Sequence, residues 1–129
     1  MGATTYEQVF SWDIAWPYQG LPTWVVTHRE LPAPHGADIR FASGDVTEVL
    51  ESVRGEVEGN VWLVGGADLV RQFLDARLID ELMLFVVPVV LGGGTPLFGG
   101  VRPAELELVA TREWSTGLVE LRYRPAAAG

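Results

Sequence analysis

Four apolar residues, Val61-Trp62-Leu63-Val64, run into Gly65-Gly66 and from there, with no spacer, into Ala67-Asp68-Leu69. That succession constrains the chain more than any other stretch. A short uninterrupted apolar run suits a strand covered on both faces, as in parallel sheets. Leu69, Val70, Phe73 and Leu74 then fall at helical spacing and predict a helix from Ala67 to about Ala76. A strand that turns into a helix over two glycines sets the free N–H groups of the first helical turn at the carboxyl edge of a sheet, at the positive end of the helix dipole. Lacking a Cβ, glycines there let a diphosphate approach the backbone. Taken alone, such a pair is more often simply a tight turn. It is neither the GxGxxG dinucleotide fingerprint nor a phosphate loop ending in Gly-Lys-Ser/Thr.

The remaining segments extend the alternation of strand and helix. Thr4 to Ser11 predicts a short helix with Tyr6, Val9 and Phe10 on one side and Thr4 or Thr5 as its cap. Trp12 to Pro22 is a loop rich in aromatics and prolines. Thr23 to Thr27 has the β-branched and aromatic make-up of a strand. Leu31 to Gly36 is a connection, and Asp38 to Ala42 a short strand. Asp45 caps a helix through about Val53, with Val46, Val49, Leu50 and Val53 on its buried face. Glu81 to Val90 reads as a long apolar strand, followed by a glycine-rich loop to Gly100. Glu105 to Trp114 alternates as a half-buried strand does, and Leu118 to Arg124 alternates likewise, joined by Ser115-Thr116-Gly117 as a hairpin. Pro125 to Gly129 reads as a frayed tail. The order argues for an α/β domain whose sheet is mostly parallel and ends in an antiparallel hairpin.

Composition narrows the function. The net charge is −8 and all nine basic residues are arginine, so general binding to nucleic acid is disfavoured. A small phosphate ligand remains compatible, because a pocket of N–H groups with one arginine outweighs distant, salt-screened acids. With no cysteine, disulfides, thiolate metal sites and cysteine nucleophiles are excluded. No apolar run approaches the ~20 residues of a membrane span. No secretion signal is visible, so the default expectation is the cytoplasm.

Other candidates are weaker. His28 and Arg29 follow the Thr23 to Thr27 strand and offer either a receptor for an anion or a solvated strand end. His28 and His35 are too few for a metal site, and no metal is expected. Asp80-Glu81 reads as a solvated acidic pair, and Leu91 to Phe98 as turn chemistry. No Ser/His/Asp arrangement is present to argue from.

Taken together, Met1-Gly2-Ala3-Thr4-Thr5-Tyr6-Glu7, Thr23 to Thr27, Val61 to Leu74, and Leu78 through Pro88-Val89-Val90-Leu91-Gly92 to Pro96-Leu97-Phe98 resemble the dihydrofolate reductase superfamily. They are most similar to the reductase domain at the C-terminus of the bacterial riboflavin-biosynthesis deaminase–reductase. The ordered set spans nearly the whole chain, which reads as one domain over residues 1–129. The resemblance implies a dihydrofolate-reductase-like three-layer α/β/α sandwich and NADPH as cofactor. In that frame Val64, Gly65 and Gly66 with the N–H groups of Ala67, Asp68 and Leu69 would hold the diphosphate, and Thr5 would contact a phosphate oxygen. Thr27, His28 and Arg29 would face the adenosine 2′-phosphate.

Two departures carry expectations of their own. The family has Arg where this chain has Ala3, and losing a charge-assisted hydrogen bond of about 1.5–3 kcal/mol weakens cofactor binding by one to two decades unless Arg29 compensates. The family's domain also begins some tens of residues before the Met-Gly-x-x-Thr motif, so the N-terminal strand and helix are expected to be missing, the domain partial, and the catalytic residues unassigned. The implied activity is NADPH-dependent reduction of a small pyrimidine or pterin. 5-amino-6-(5-phosphoribosylamino)uracil of riboflavin biosynthesis is the first substrate expected and dihydrofolate the second. The alternative is a non-catalytic, nucleotide-binding or oligomerising domain. The expected partners are a small-molecule substrate and a second copy in a homodimer.

Overall fold

The computed structural model describes residues 1–127. Its elements, in order, are α1 (Ala3–Phe10), β1 (Thr23–Val26), β2 (Ile39–Ala42), α2 (Val46–Glu56), α3 (Ala67–Asp75), β3 (Leu82–Val86), β4 (Leu106–Glu113) and β5 (Val119–Pro125). It is a mixed α/β fold in which parallel pairing comes first and an antiparallel hairpin closes the chain.

β1 and β2 pair in parallel, and Gly2 adds a parallel bridge to Val26 on the other side of β1. Successive residues of a strand face opposite sides, and here each side has its own core. Val25 is fully buried with Met1, Tyr6, Val9 and Trp16 under α1. Val26 packs instead toward Val46 of α2 and Leu69 and Phe73 of α3. Helix, sheet and helices therefore form three layers about β1. Tyr6 fixes the first core: its ring meets Trp16 edge-on at 5.7 Å, and its hydroxyl donates to the Pro32 carbonyl at 2.5 Å. α2 starts where the sequence indicates, with the Asp45 carboxylate accepting from the Thr47 N–H at 2.8 Å.

The second sheet is antiparallel, in the order β3-β5-β4. Ser115-Thr116-Gly117 makes the hairpin turn between β4 and β5. Leu84 and Leu121 are partners on one face of this sheet. On the other face Glu120 stands between Phe85 and Arg112 and takes a hydrogen bond from Arg122 at 3.0 Å.

Several boundaries differ from the sequence reading. Among the described residues Val61–Val64 joins no ladder; a backbone tie comes just after it, from Gly2 N–H to the Gly65 carbonyl at 2.8 Å, and Trp62 is 70% exposed. An apolar run is a strand only where neighbouring backbones accept its hydrogen bonds, and this one has none along its length. The parallel portion of the sheet is correspondingly small. β3 stops at Val86 because Pro88 has no N–H to continue a ladder. β4 forms as expected but is exposed along its whole length rather than half-buried. α1 is capped by Gly2, so Thr4 and Thr5 lie inside the helix and cap nothing. Pro125 belongs to β5, and residues 128–129 of the tail lie outside the described residues.

Candidate functional site: two adjacent helix N-termini

Gly2 organises the site. Its bridge to Val26 and its N–H bond to the Gly65 carbonyl set three backbone segments side by side: the end of β1, the Met1-Gly2 stretch, and the Val61–Gly65 stretch. Beyond their carboxyl ends begin the Thr27-His28-Arg29 turn, α1 and α3. A crevice of this kind, outside the carboxyl ends of parallel segments, is where open α/β sheets bind ligands.

Both helices at this edge start from a glycine. Gly2 caps α1, Gly66 caps α3, and neither cap carries a side-chain hydrogen bond. The first carbonyls are engaged, by Tyr6 N–H at Gly2 and Val70 N–H at Gly66, both at 3.0 Å. The N–H groups of Ala3, Thr4 and Thr5, and of Ala67, Asp68 and Leu69, are the ones each helix leaves over by construction. Two helix dipoles thus deliver partial positive charge to one place in a protein of net charge −8.

The glycines are required for different reasons. Gly65 has φ +120°, open to glycine alone, and is buried. The Gly65–Gly66 peptide is cis. Gly66 has ordinary φ, but a Cβ there would lie 3.1 Å from Thr5 Oγ1. Thr5 Oγ1 of α1 therefore occupies the space that a side chain at Gly66 would need. The structure thus brings together Thr5, Gly65, Gly66, Ala67, Asp68 and Leu69. Val64, partly buried against the Tyr6 core, anchors this segment and lends no polar group.

At the neighbouring strand end, Thr27 N–H donates to the Ala42 carbonyl at 2.8 Å, and Thr27 Oγ1 accepts from the Arg29 N–H at 3.0 Å. His28 is exposed. The Arg29 guanidinium pairs with Glu7 of α1. Glu7 enters the sequence reading only as the end of the Met1 to Glu7 stretch, with no role at the site. It lies 22 positions from Arg29, and a long-range ion pair leaves no periodic trace.

The electrostatics at α3 are also pre-committed. Asp68 turns along the helix to accept from Arg71 and Gln72, each at 2.8 Å. Those hydrogen bonds hold its carboxyl below the usual aspartate range. Arg71 so offsets an acid standing beside the free N–H groups. Arg71 itself also pairs with Asp75 at 3.5 Å. Among the described residues no group of three or more His, Cys, Asp or Glu is placed to hold a metal ion.

Residues 11–119 match the family model of the RibD C-terminal domain. The uncharacterized Bacillus subtilis (strain 168) protein YwjB is 33% identical over 131 residues, covering 95% of this chain and 70% of YwjB. Among solved structures, a protein from Shewanella sp. PV-4 assigned to riboflavin biosynthesis superposes with a TM-score of 0.85 at 25% identity, over 98% of this chain and 72% of its own. A pyrimidine reductase-like protein from Corynebacterium diphtheriae superposes with a TM-score of 0.62 at 19% identity, over 80% of this chain and 50% of its own, a likeness of fold.

Proposed function

The chain belongs to the RibD C-terminal domain family, and from that membership we propose that it binds NADPH in the crevice at Gly65-Gly66 and reduces a small pyrimidine. A ribosylaminopyrimidine is the first substrate to try and dihydrofolate the second. The observation that carries the reading is the pairing of two glycine-started, uncapped helices, locked side by side by Gly2 N–H and the Gly65 carbonyl. One such terminus is common; two together suit a diphosphate, which has two charged centres to place.

The residues present fit the group. The N–H donors of Ala67, Asp68 and Leu69 are free for one phosphate, and Thr5 Oγ1, beside Gly66, is placed for an oxygen of it. The Thr27-His28-Arg29 turn offers Arg29 to a 2′-phosphate once Glu7 releases it. When bound, the nicotinamide supplies the hydride. This chain's contribution is to orient the cofactor and to keep its anionic end on fixed donors. Action in the cytoplasm is part of the same proposal; among the described residues no helix is long and apolar enough to cross a membrane.

Titration with NADPH, followed by tryptophan fluorescence and paired with a turnover assay on each substrate, tests the reading. Binding with oxidation of NADPH is expected. Binding without oxidation would make the chain a nucleotide-binding domain with no reductase activity, and absence of binding would overturn the site altogether.

A further inference from the structure

Acids outnumber basic residues in this chain by 17 to 9, so no arginine is short of a partner. Among the described residues Arg29, Arg40, Arg71, Arg122 and Arg124 each pair with a carboxylate. Of the other four, Arg112 lies over the Trp114 ring at 4.6 Å, and Arg54 stands in the last turn of α2. Arg77 and Arg102 line one cavity of about 460 Å³, between the end of α3, the approach to β4 and the end of β5. Cavities of roughly 300–1,000 Å³ are the size that takes a small organic ligand.

Arg77 occupies a position built for another residue. It follows Ala76, the C-cap of α3, with φ +57°, in the left-handed region where glycine is the default. The helix end is closed by backbone alone, Arg77 N–H to the Leu74 carbonyl at 3.0 Å and Leu78 N–H to the Phe73 carbonyl at 2.9 Å. Among the described residues the Arg77 guanidinium bonds to neither carbonyl, so closing the helix does not explain the side chain. Arg102 is brought to the same end of α3 by its own N–H, which donates to Asp75 Oδ1 at 3.1 Å. Asp75 is thereby engaged, and it also pairs with Arg71 at 3.5 Å. Glu105 lines the cavity as well and pairs with neither arginine.

The geometry points to a binding site for a small carboxylate with an apolar body, its head on Arg77 and Arg102 and its body along Leu74, Ile79, Leu106 and Pro125. Guanidinium forks match a planar carboxylate, and the apolar walls favour an organic anion over a bare inorganic one. The site is separate from the nucleotide crevice. Gly66 and Arg77 flank opposite ends of α3, whose nine residues span roughly 14 Å. The inference therefore stands whether or not a nucleotide binds.

Octanoate is the probe. Calorimetric titration should show one site per chain, and amide shifts should fall on residues 74–79, 102–106 and 125–127. Octanol, which lacks the charge, and octylamine, which reverses it, should bind at least tenfold more weakly, and inorganic phosphate should not displace octanoate. Arg102→Gln should weaken octanoate at least tenfold. Arg77→Gly separates function from folding: glycine relieves the left-handed backbone, so the Tm should hold or rise while octanoate affinity falls at least tenfold. Absence of octanoate binding, equal binding of octanol, shifts centred elsewhere, or an Arg77→Gly variant that melts earlier or binds as the parent does would each overturn the proposal.

Discussion

Arg29 at the end of β1 is paired with Glu7, on the helix whose Thr5 Oγ1 fills the side-chain space at Gly66. The cation best placed for a 2′-phosphate is thus already satisfied by an internal carboxylate. An exposed pair of this kind contributes about 0–1 kcal/mol, so under the proposed function a 2′-phosphate of charge near −2 should displace it against that opposition.

Arg29→Ala should therefore weaken NADPH about tenfold while leaving NADH nearly unchanged, taking ~1.4 kcal/mol for one charge-assisted contact. Glu7→Gln should act the other way and strengthen NADPH about threefold, again with little effect on NADH. Parallel titrations of both cofactors check this. Equal changes for NADPH and NADH would show that the pair acts through α1 and not through the 2′-phosphate.

Gly66→Ala places a methyl group 3.1 Å from Thr5 Oγ1. The overlap should cost about 1–2 kcal/mol of stability, a fall in Tm of roughly 3–8 °C for a chain of this size. Thr5→Ala in the same chain removes the obstructing oxygen and should restore the Tm. NADPH binding should be weaker in the double variant than in Thr5→Ala alone, since a side chain now lines the approach to the diphosphate. If the double variant binds as well as Thr5→Ala alone, Gly66 matters only for packing.

The Met1 ammonium is buried, donating to the Trp24 carbonyl at 2.9 Å, and burial lowers its pKa from near 8 to about 6. The unfolded chain then holds more protons than the folded one between these values, so stability rises with pH across that window and is lowest below about pH 6. The rise is at most ~2.7 kcal/mol, at 1.36 kcal/mol per pH unit. Urea unfolding at pH 5.5 and 8.5 should show it, and acetylation of the terminus should abolish it. An unchanged difference after acetylation would assign it to another group.

Asp45→Ala removes the cap of α2 and should cost about 1 kcal/mol without altering NADPH affinity, because Asp45 bonds Thr47 and Val49 of its own helix and none of the crevice residues. Thermal melts and a titration separate the two effects. A matching loss of affinity would tie α2 to the site.

What was legible in the sequence is what side-chain spacing encodes. The stripe of α3, the Asp45 cap, the hairpin turn and the strand β1 all stand where periodicity and turn chemistry put them. Gly65-Gly66 was legible as a junction, and Thr5 meets it. Spacing does not report backbone partners. Val61–Val64 has the composition of a strand yet finds no ladder, and the run from Glu81 to Val90 is cut to Leu82–Val86 by Pro88. The alternation in β4 implied a covered face that the fold leaves exposed. Gly2 as organiser, and Glu7 as the partner of Arg29, depend on contacts between distant segments. No local pattern announces them.

The division of the strands into two sheets has a consequence for how the molecule comes apart. Residues up to Ile79 hold both buried cores between themselves, while β3, β4 and β5 are held chiefly by one another. Each group is contiguous in the chain, so each closes mostly short loops and neither needs the other to satisfy its ladder. Cooperativity should then fail at the junction near Asp80. The C-terminal meander should lose amide protection at lower denaturant than β1 and α3, giving two unfolding units within one short chain.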